Sequence, residues 1–182
     1  MHVVRDGRVT FRQFASVRAA GLCPARARGY YEVEVLSELS YPQLGFCSGE
    51  WGRVEGYVNA GVGDDEESWG VDGDRMLKWH RGDGGRFGSA WRRGDVVGLA
   101  CDLQPAGGGG GRLLVSVNGD FAPPNGAAFD LPPGLAGLHA ALTCGAGAVS
   151  CNLGGDPARP LRHSPPAPGF RPMAAFPAPA LQ

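Results

Sequence analysis

The stretch 68–80 constrains the fold more than any other, because it alternates with period two on both sides of a turn signal. Trp69 lies before an Asp-Gly pair and Trp79 lies after it, each between small or polar neighbours. Such alternation predicts two antiparallel strands, and Asp-Gly is a strong signal for a hairpin turn. Because a tryptophan buries on the order of 150–250 Å², we expect both indoles in a core between two sheets.

Short alternating or apolar segments recur along the chain, separated by many of its 31 glycines and 15 prolines. They predict strands over 29–36, 41–48, 96–103 and 112–118. They also predict a final hairpin of 135–144 with 148–153, in which Leu142 faces Cys151 and Cys144 faces Val149. No helical period of normal length occurs. The pattern predicts an all-β chain folded as an antiparallel β-sandwich. We expect a lead-in strand or extension over 1–15, one domain over 16–155 and a Pro/Ala-rich C-terminal tail over 156–182. The tail is expected to pack briefly and then to become disordered.

Composition excludes several classes of function. The chain has 17 basic and 18 acidic residues, a net charge of −1, which argues against binding nucleic acid. It has no apolar run of about 20 residues and no secretory signal, so we expect an intracellular, cytoplasmic monomer without a membrane segment. Its five cysteines lack C-x-x-C spacing and its four histidines are scattered. They predict buried, reduced thiols, no metal site and no cofactor.

A long connection over 49–67 separates two predicted strands, and connections of this length are often functional. It contains Trp51 among glycines and an acidic run over 64–67. The run lacks the spacing of a calcium loop, so we interpret it as a solvated loop face. An aromatic side chain in such a loop is either part of a satellite core or an exposed anchor for a partner.

Eight short motifs follow one another between residues 29 and 154. They are GYYEVEV (29–35), LGFC (44–47), SWGVDG (68–73), GDVVG (94–98), CDL (101–103), VSVNG (115–119), GAAF (126–129) and VSCNLG (149–154). In this order they resemble the motifs of the SPRY (B30.2/SPRY) family. The resemblance implies a bent antiparallel sandwich of the concanavalin-like jelly-roll type, used as a non-catalytic protein-interaction module.

The resemblance also implies where a partner binds. In SPRY adaptors that carry a SOCS box, a peptide lies in a shallow pocket formed by an Arg-Pro, a Thr, a Tyr and a Val-Trp-Gly. By motif these positions correspond to Arg18, Ser48, Tyr57 and the run Thr143-Cys144-Gly145, without the proline and the tryptophan. With Trp51 added from the loop, the predicted partner contacts are Arg18, Ser48, Trp51, Tyr57, Thr143, Cys144 and Gly145.

We therefore expect an adaptor-like module that binds a protein or peptide through loops at one end of the sandwich. A carbohydrate-binding lectin is the alternative, with Trp51 and the acids of 64–67 as its platform. We predict no catalytic residue, because the chain has no nucleophile elbow, zinc motif or phosphate-binding loop.

Overall fold

The structure, a computed structural model of the chain, describes residues 3–5, 7–52, 60–104 and 109–179. Nearly all of its regular structure is strand, as expected. The strands are β1 (Val3–Arg5), β2 (Arg8–Phe11), β3 (Ala15–Arg18), β4 (Cys23–Pro24), β5 (Arg28–Val35), β6 (Gln43–Cys47), β7 (Ser68–Asp72), β8 (Leu77–His80), β9 (Asp83–Arg86), β10 (Val96–Asp102), β11 (Arg112–Val117), β12 (Gly126–Asp130), β13 (Gly137–Cys144), β14 (Gly147–Asn152) and β15 (Arg171–Pro172), followed by a 3₁₀ turn, Met173–Ala175. In the described ranges no helix is long and apolar enough to cross a membrane.

The strands form two sheets, which confirms the predicted sandwich. The first sheet has the order β1-β2-β14-β5-β10-β11-β12, and the second has the order β3-β13-β6-β7-β8-β9. The pairs are antiparallel except for β15, which runs parallel to the start of β5. The short strand β4 pairs with β13.

The core lies between the sheets and is built by alternate residues of each strand. From the first sheet it takes Tyr31, Val33 and Leu99, and from the second it takes Phe46 and Trp69. The Tyr31 and Phe46 rings meet edge to face, with centroids 5.3 Å apart, a favourable aromatic geometry. On β5 and β10 the inward residues recur at every second position, as period-two alternation predicts.

The prediction for Trp79 is wrong. Trp79 pairs with Gly70 across β7 and β8, so it lies on the face of the second sheet opposite to Trp69. There it is half-buried, and the Arg75 guanidinium carbon lies 4.7 Å from its ring centroid. The alternation of side chains along β8 is as predicted, but the second sheet is covered on both faces, so alternation alone does not distinguish the core face from the opposite one.

The predicted final hairpin is also wrong. Strand β13 belongs to the second sheet, whereas β14 pairs with β2 and β5 in the first. The chain crosses between the sheets after Cys144, so Leu142 does not face Cys151. A glycine-rich turn signals a change of direction and carries no information on whether the next strand stays in the same sheet.

The C-terminal segment 156–176 packs on the first sheet. Met173 and Phe176 are 1% and 5% exposed and belong to the core. Glu32, only 2% exposed, accepts hydrogen bonds from the backbone N–H groups of Arg162 and His163, both at 2.7 Å. The division of the chain at 15 and 155 stays a prediction.

Candidate binding surface

The second sheet has a face that points away from the first sheet, which we call the outer face. It is formed by alternate residues of neighbouring strands, among them Gly45, Cys47, Gly70, Ala141 and Thr143. The end of the long connection, residues 60–67, lies across this face. It inserts Val62, which is fully buried against Cys47 and Ala141, with Trp51 packed beside them.

Glycine makes this close approach possible. A Cβ on Gly70 would lie 2.1 Å from the Val62 carbonyl oxygen, and one on Gly63 would lie 2.4 Å from the Trp79 carbonyl oxygen. Real Cβ atoms do not come so near to backbone, so a larger residue would lift the loop. Gly63 also has φ = +104°, which disfavours a side chain independently of space.

Buried hydroxyl groups anchor the middle of the loop. The Val62 N–H donates to Thr143 Oγ1 at 2.9 Å, and Thr143 Oγ1 lies 2.8 Å from Ser16 Oγ. The Ser16 hydroxyl in turn donates to the Ala60 carbonyl at 3.1 Å. Since Thr143 is fully buried, its role in the structure is to hold the loop on the sheet.

Three of the four residues in the acidic run bind the loop to itself or to the sheet, so its interpretation as a solvated face is wrong. Asp64 accepts from Gln43 Nε2 at 2.8 Å and from the Gly61 N–H at 2.6 Å. Asp65, 2% exposed, accepts from the Ser68 hydroxyl at 2.6 Å. Glu67 accepts from the Ser48 hydroxyl.

Glu66 is the member of the run that faces solvent, 3.8 Å from the Arg81 guanidinium. The carboxylates that the lectin alternative needs are therefore mostly engaged in holding the loop.

The predicted partner contacts fall into different environments. Arg18 is exposed on β3, and its guanidinium approaches the carbonyl oxygens of Ser48 and Gly49 at 3.5 and 3.4 Å. Trp51 is half-buried beside Val62, and Ser48 is 6% exposed. These three side chains lie together where β6 ends. Tyr57 lies outside the described residues.

The other predicted contacts lie near the opposite end of the outer face. Thr143 pairs with Gln43, at the start of β6. Cys144 points into the core, where its thiol donates to the carbonyl oxygens of Ser40 and Ala146 at 3.3 and 3.0 Å. Gly145 forms the crossing between the sheets, with its N–H 2.7 Å from the Ser40 carbonyl. The structure thus places the six described residues of this set on the second sheet or on the turns beside it, without bringing them to one point.

Sequence reasoning missed two exposed aromatic residues at this second end. Phe14 is 37% exposed and borders Gly61. Tyr41 is 55% exposed, and the Arg75 guanidinium carbon lies 5.1 Å from its ring centroid. The available signal was their position, since Phe14 directly precedes β3 and Tyr41 lies two residues before β6.

A thiol and an imidazole lie side by side beneath the loop, because Cys47 and His139 are cross-strand partners. Burial raises the pKa of the Cys47 thiol to about 12, although Arg18 acts to lower it. Burial lowers the pKa of His139, whose Nδ1 lies 3.0 Å from the Gly21 carbonyl oxygen. At neutral pH both groups are uncharged, so this pair lacks the thiolate that a cysteine nucleophile needs.

Residues 28–107, from the start of β5 to beyond β10, match the family model of the SPRY domain. The chain contains a SPRY domain. It is also similar to the E3 ubiquitin-protein ligase RKP of Arabidopsis thaliana, with 33% identity over 91 residues. That similarity covers 50% of this chain and 7% of the relative. SPRY domains are generally protein-interaction modules.

Proposed function

We propose that this SPRY domain is a non-catalytic module that binds a protein or peptide partner through the loops of the outer face. The observation that supports this most directly is the anchored loop over 60–67. Its polar side chains hold the backbone in one arrangement, so the residues beside it are preorganised. A preorganised surface loses less conformational entropy when a partner binds.

Exposed or half-buried residues around the anchored loop are of the types that dominate binding energy at interfaces, namely arginine and aromatic residues. Arg18 and Trp51 flank one end of the loop, and Phe14 flanks the other. Tyr57 is retained as a candidate from the sequence. Ser48 and Thr143 act in this proposal as supports for the loop and not as contacts.

The protein-binding proposal is favoured over the lectin because the acidic platform is occupied. Asp64, Asp65 and Glu67 each accept a hydrogen bond from within the domain. A sugar hydroxyl would have to displace one of these internal donors.

The test is quantitative affinity capture from native lysate with four baits. They are the wild-type chain, the double variant Trp51→Ala/Tyr57→Ala, the charge reversal Arg18→Glu, and the control Arg112→Ala. Arg112 is exposed and paired with Asp130 at the edge of the first sheet, far in sequence and topology from the loop.

We expect proteins that are captured by the wild type and the control and depleted by both loop variants. Thermal unfolding of each bait checks that the variants are folded. Equal capture by all four baits would refute the proposed location of the binding site. Binding to a glycan array in preference to any protein would favour the lectin.

A further inference from the structure

Ser164 differs from the other serines and threonines of the chain in two ways. All of these residues lie in the described ranges, and there Ser164 alone is exposed, whereas the others are buried or half-buried. It is also the one serine or threonine that a proline follows. Within the described ranges its hydroxyl forms no hydrogen bond, whereas the hydroxyls of Ser48 and Ser68 donate to carboxylates. The accessible hydroxyl and the following proline therefore coincide at one position.

The backbone around Ser164 suits recognition by an enzyme that binds an extended segment. Residues 164–169 lie between two attachments of the C-terminal segment to β5. One is the hydrogen bond from the His163 N–H to Glu32, and the other is the pairing of β15 with β5. Between them the chain forms no helix or strand. A residue before proline prefers an extended backbone, and Pro165 has no N–H that an enzyme would need to satisfy.

We propose that Ser164 is a phosphorylation site for a proline-directed serine/threonine protein kinase. ATP supplies the phosphoryl group. A bond forms between Ser164 Oγ and the γ-phosphorus, and the bond from that phosphorus to the oxygen that bridges it to the β-phosphorus breaks. ADP leaves, and the hydroxyl proton passes to the catalytic aspartate of the kinase.

The new charge falls beside the groups that attach the C-terminal segment to the first sheet. Phosphoserine carries about −1.5 to −2 charges at neutral pH. The preceding residue, His163, donates its N–H to Glu32 at 2.7 Å, and Arg162 bonds Glu34 at 2.8 Å. A phosphate here repels both carboxylates and competes with Glu34 for the Arg162 guanidinium. Phosphorylation should therefore loosen 156–176 on the first sheet. The site does not depend on the partner proposed for the outer face.

The experiment is phosphorylation of the folded full chain in the presence of MgATP. A purified mitogen-activated kinase and a purified cyclin-dependent kinase are used in separate reactions, and a standard Ser-Pro peptide confirms that each kinase is active. Intact mass gives the number of phosphoryl groups that are added, and peptide mapping gives their position. Hydrogen exchange of the phosphorylated and the unphosphorylated chain then reports on the C-terminal segment.

Two variants separate the acceptor from its recognition. Ser164→Ala removes the hydroxyl, whereas Pro165→Ala keeps the hydroxyl and removes the proline that the kinase reads. The matched control is Ser89→Ala, because Ser89 also lies outside the strands but is half-buried and followed by alanine. Thermal unfolding of each variant checks that it is folded.

We expect the wild type and Ser89→Ala to gain a single phosphoryl group that maps to Ser164, and Ser164→Ala to gain none. Pro165→Ala should be labelled about 10-fold more slowly, which corresponds to a lost contact of about 1.4 kcal/mol. In the phosphorylated chain, hydrogen exchange over 156–176 should be about 10-fold faster, because local opening sets the exchange rate. Exchange in β13 should not change, and treatment with a phosphatase should reverse the effect.

Three results would overturn the assignment of the site. The first is a folded wild-type chain that neither kinase labels although both label the Ser-Pro peptide. The second is labelling of Ser164→Ala at the rate of the wild type, which would place the phosphate elsewhere. The third is labelling of Pro165→Ala at that rate, which would show that the proline is not read. Unchanged exchange over 156–176 after complete phosphorylation would refute the loosening of the segment.

Discussion

Glu32 offers the sharpest test of how this domain holds its C-terminal segment. The carboxylate is 2% exposed on β5. It accepts two backbone N–H bonds at 2.7 Å, from Arg162 and His163, and the Tyr30 hydroxyl at 3.2 Å. Glu32→Gln keeps the size of the side chain and replaces one acceptor oxygen by an amide that can only donate. One backbone N–H then faces another donor.

The loss in free energy of unfolding follows from the number of hydrogen bonds that are changed. A hydrogen bond to a charged group contributes about 1.5–3 kcal/mol, and a buried donor left without a partner costs about 1–3 kcal/mol. Since Glu32→Gln removes one such bond and weakens the other, we expect the free energy of unfolding to fall by about 3 kcal/mol. For a chain of this size that lowers the unfolding midpoint by about 6–12 °C.

The assay is urea unfolding followed by tryptophan fluorescence, with hydrogen exchange over 156–176 as a local probe. Glu34→Gln is the matched control, because Glu34 lies two residues along the same strand face and makes a partly exposed ion pair with Arg162 at 2.8 Å. Exposed pairs of this kind contribute about 0–1 kcal/mol. If Glu32→Gln unfolds within about 0.5 kcal/mol of Glu34→Gln, the carboxylate does not hold the segment and the reasoning is refuted.

Three further predictions concern the second sheet. Gly45→Ala should destabilise the domain in urea unfolding, because its Cβ would lie 1.9 Å from a backbone oxygen, whereas Gly49→Ala, with no atom within 4 Å, should not; equal effects would contradict the packing. Thr143→Val should cost about 1–3 kcal/mol and raise hydrogen exchange over 60–64, since it removes the acceptor of a buried N–H; unchanged exchange would show that the anchor is dispensable. The Cys47 thiol, with its pKa raised to about 12 by burial, should resist alkylation by iodoacetamide at pH 8 until the chain unfolds, as followed by mass spectrometry; rapid labelling of the folded chain would contradict its burial.

Period-two alternation predicts a strand's two faces well where only one of them is apolar. On β5 the residues Tyr31 and Val33 face the core as expected, because Glu32 and Glu34 occupy the other face. The pattern cannot reveal that Glu32 is buried too, since its partners are backbone amides about 130 residues further along the chain. Long-range polar contacts of this kind leave no periodic trace in the sequence.

The position of the long loop was predictable from the sequence, but the orientation of its side chains was not. The motifs correctly indicate a long loop before Trp69, but they do not show which of its side chains face inward. Ser48 and Thr143 match contact positions of a related pocket and are buried here. The sequence does not show whether a serine or threonine hydroxyl contacts a partner or a backbone N–H, because that depends on the conformation of the loop.

The conformation of the loop also bears on the proposed recognition of a partner. Val62 fills the outer face, Thr143 satisfies its N–H, and Asp65 and Glu67 fix the return to β7. A loop with its polar groups satisfied internally does not need a partner to order it. We therefore expect Arg18→Ala to weaken partner binding and to leave hydrogen exchange in the loop unchanged. Thr143→Val should raise hydrogen exchange in the loop, and it should weaken partner binding only to the extent that the loop moves.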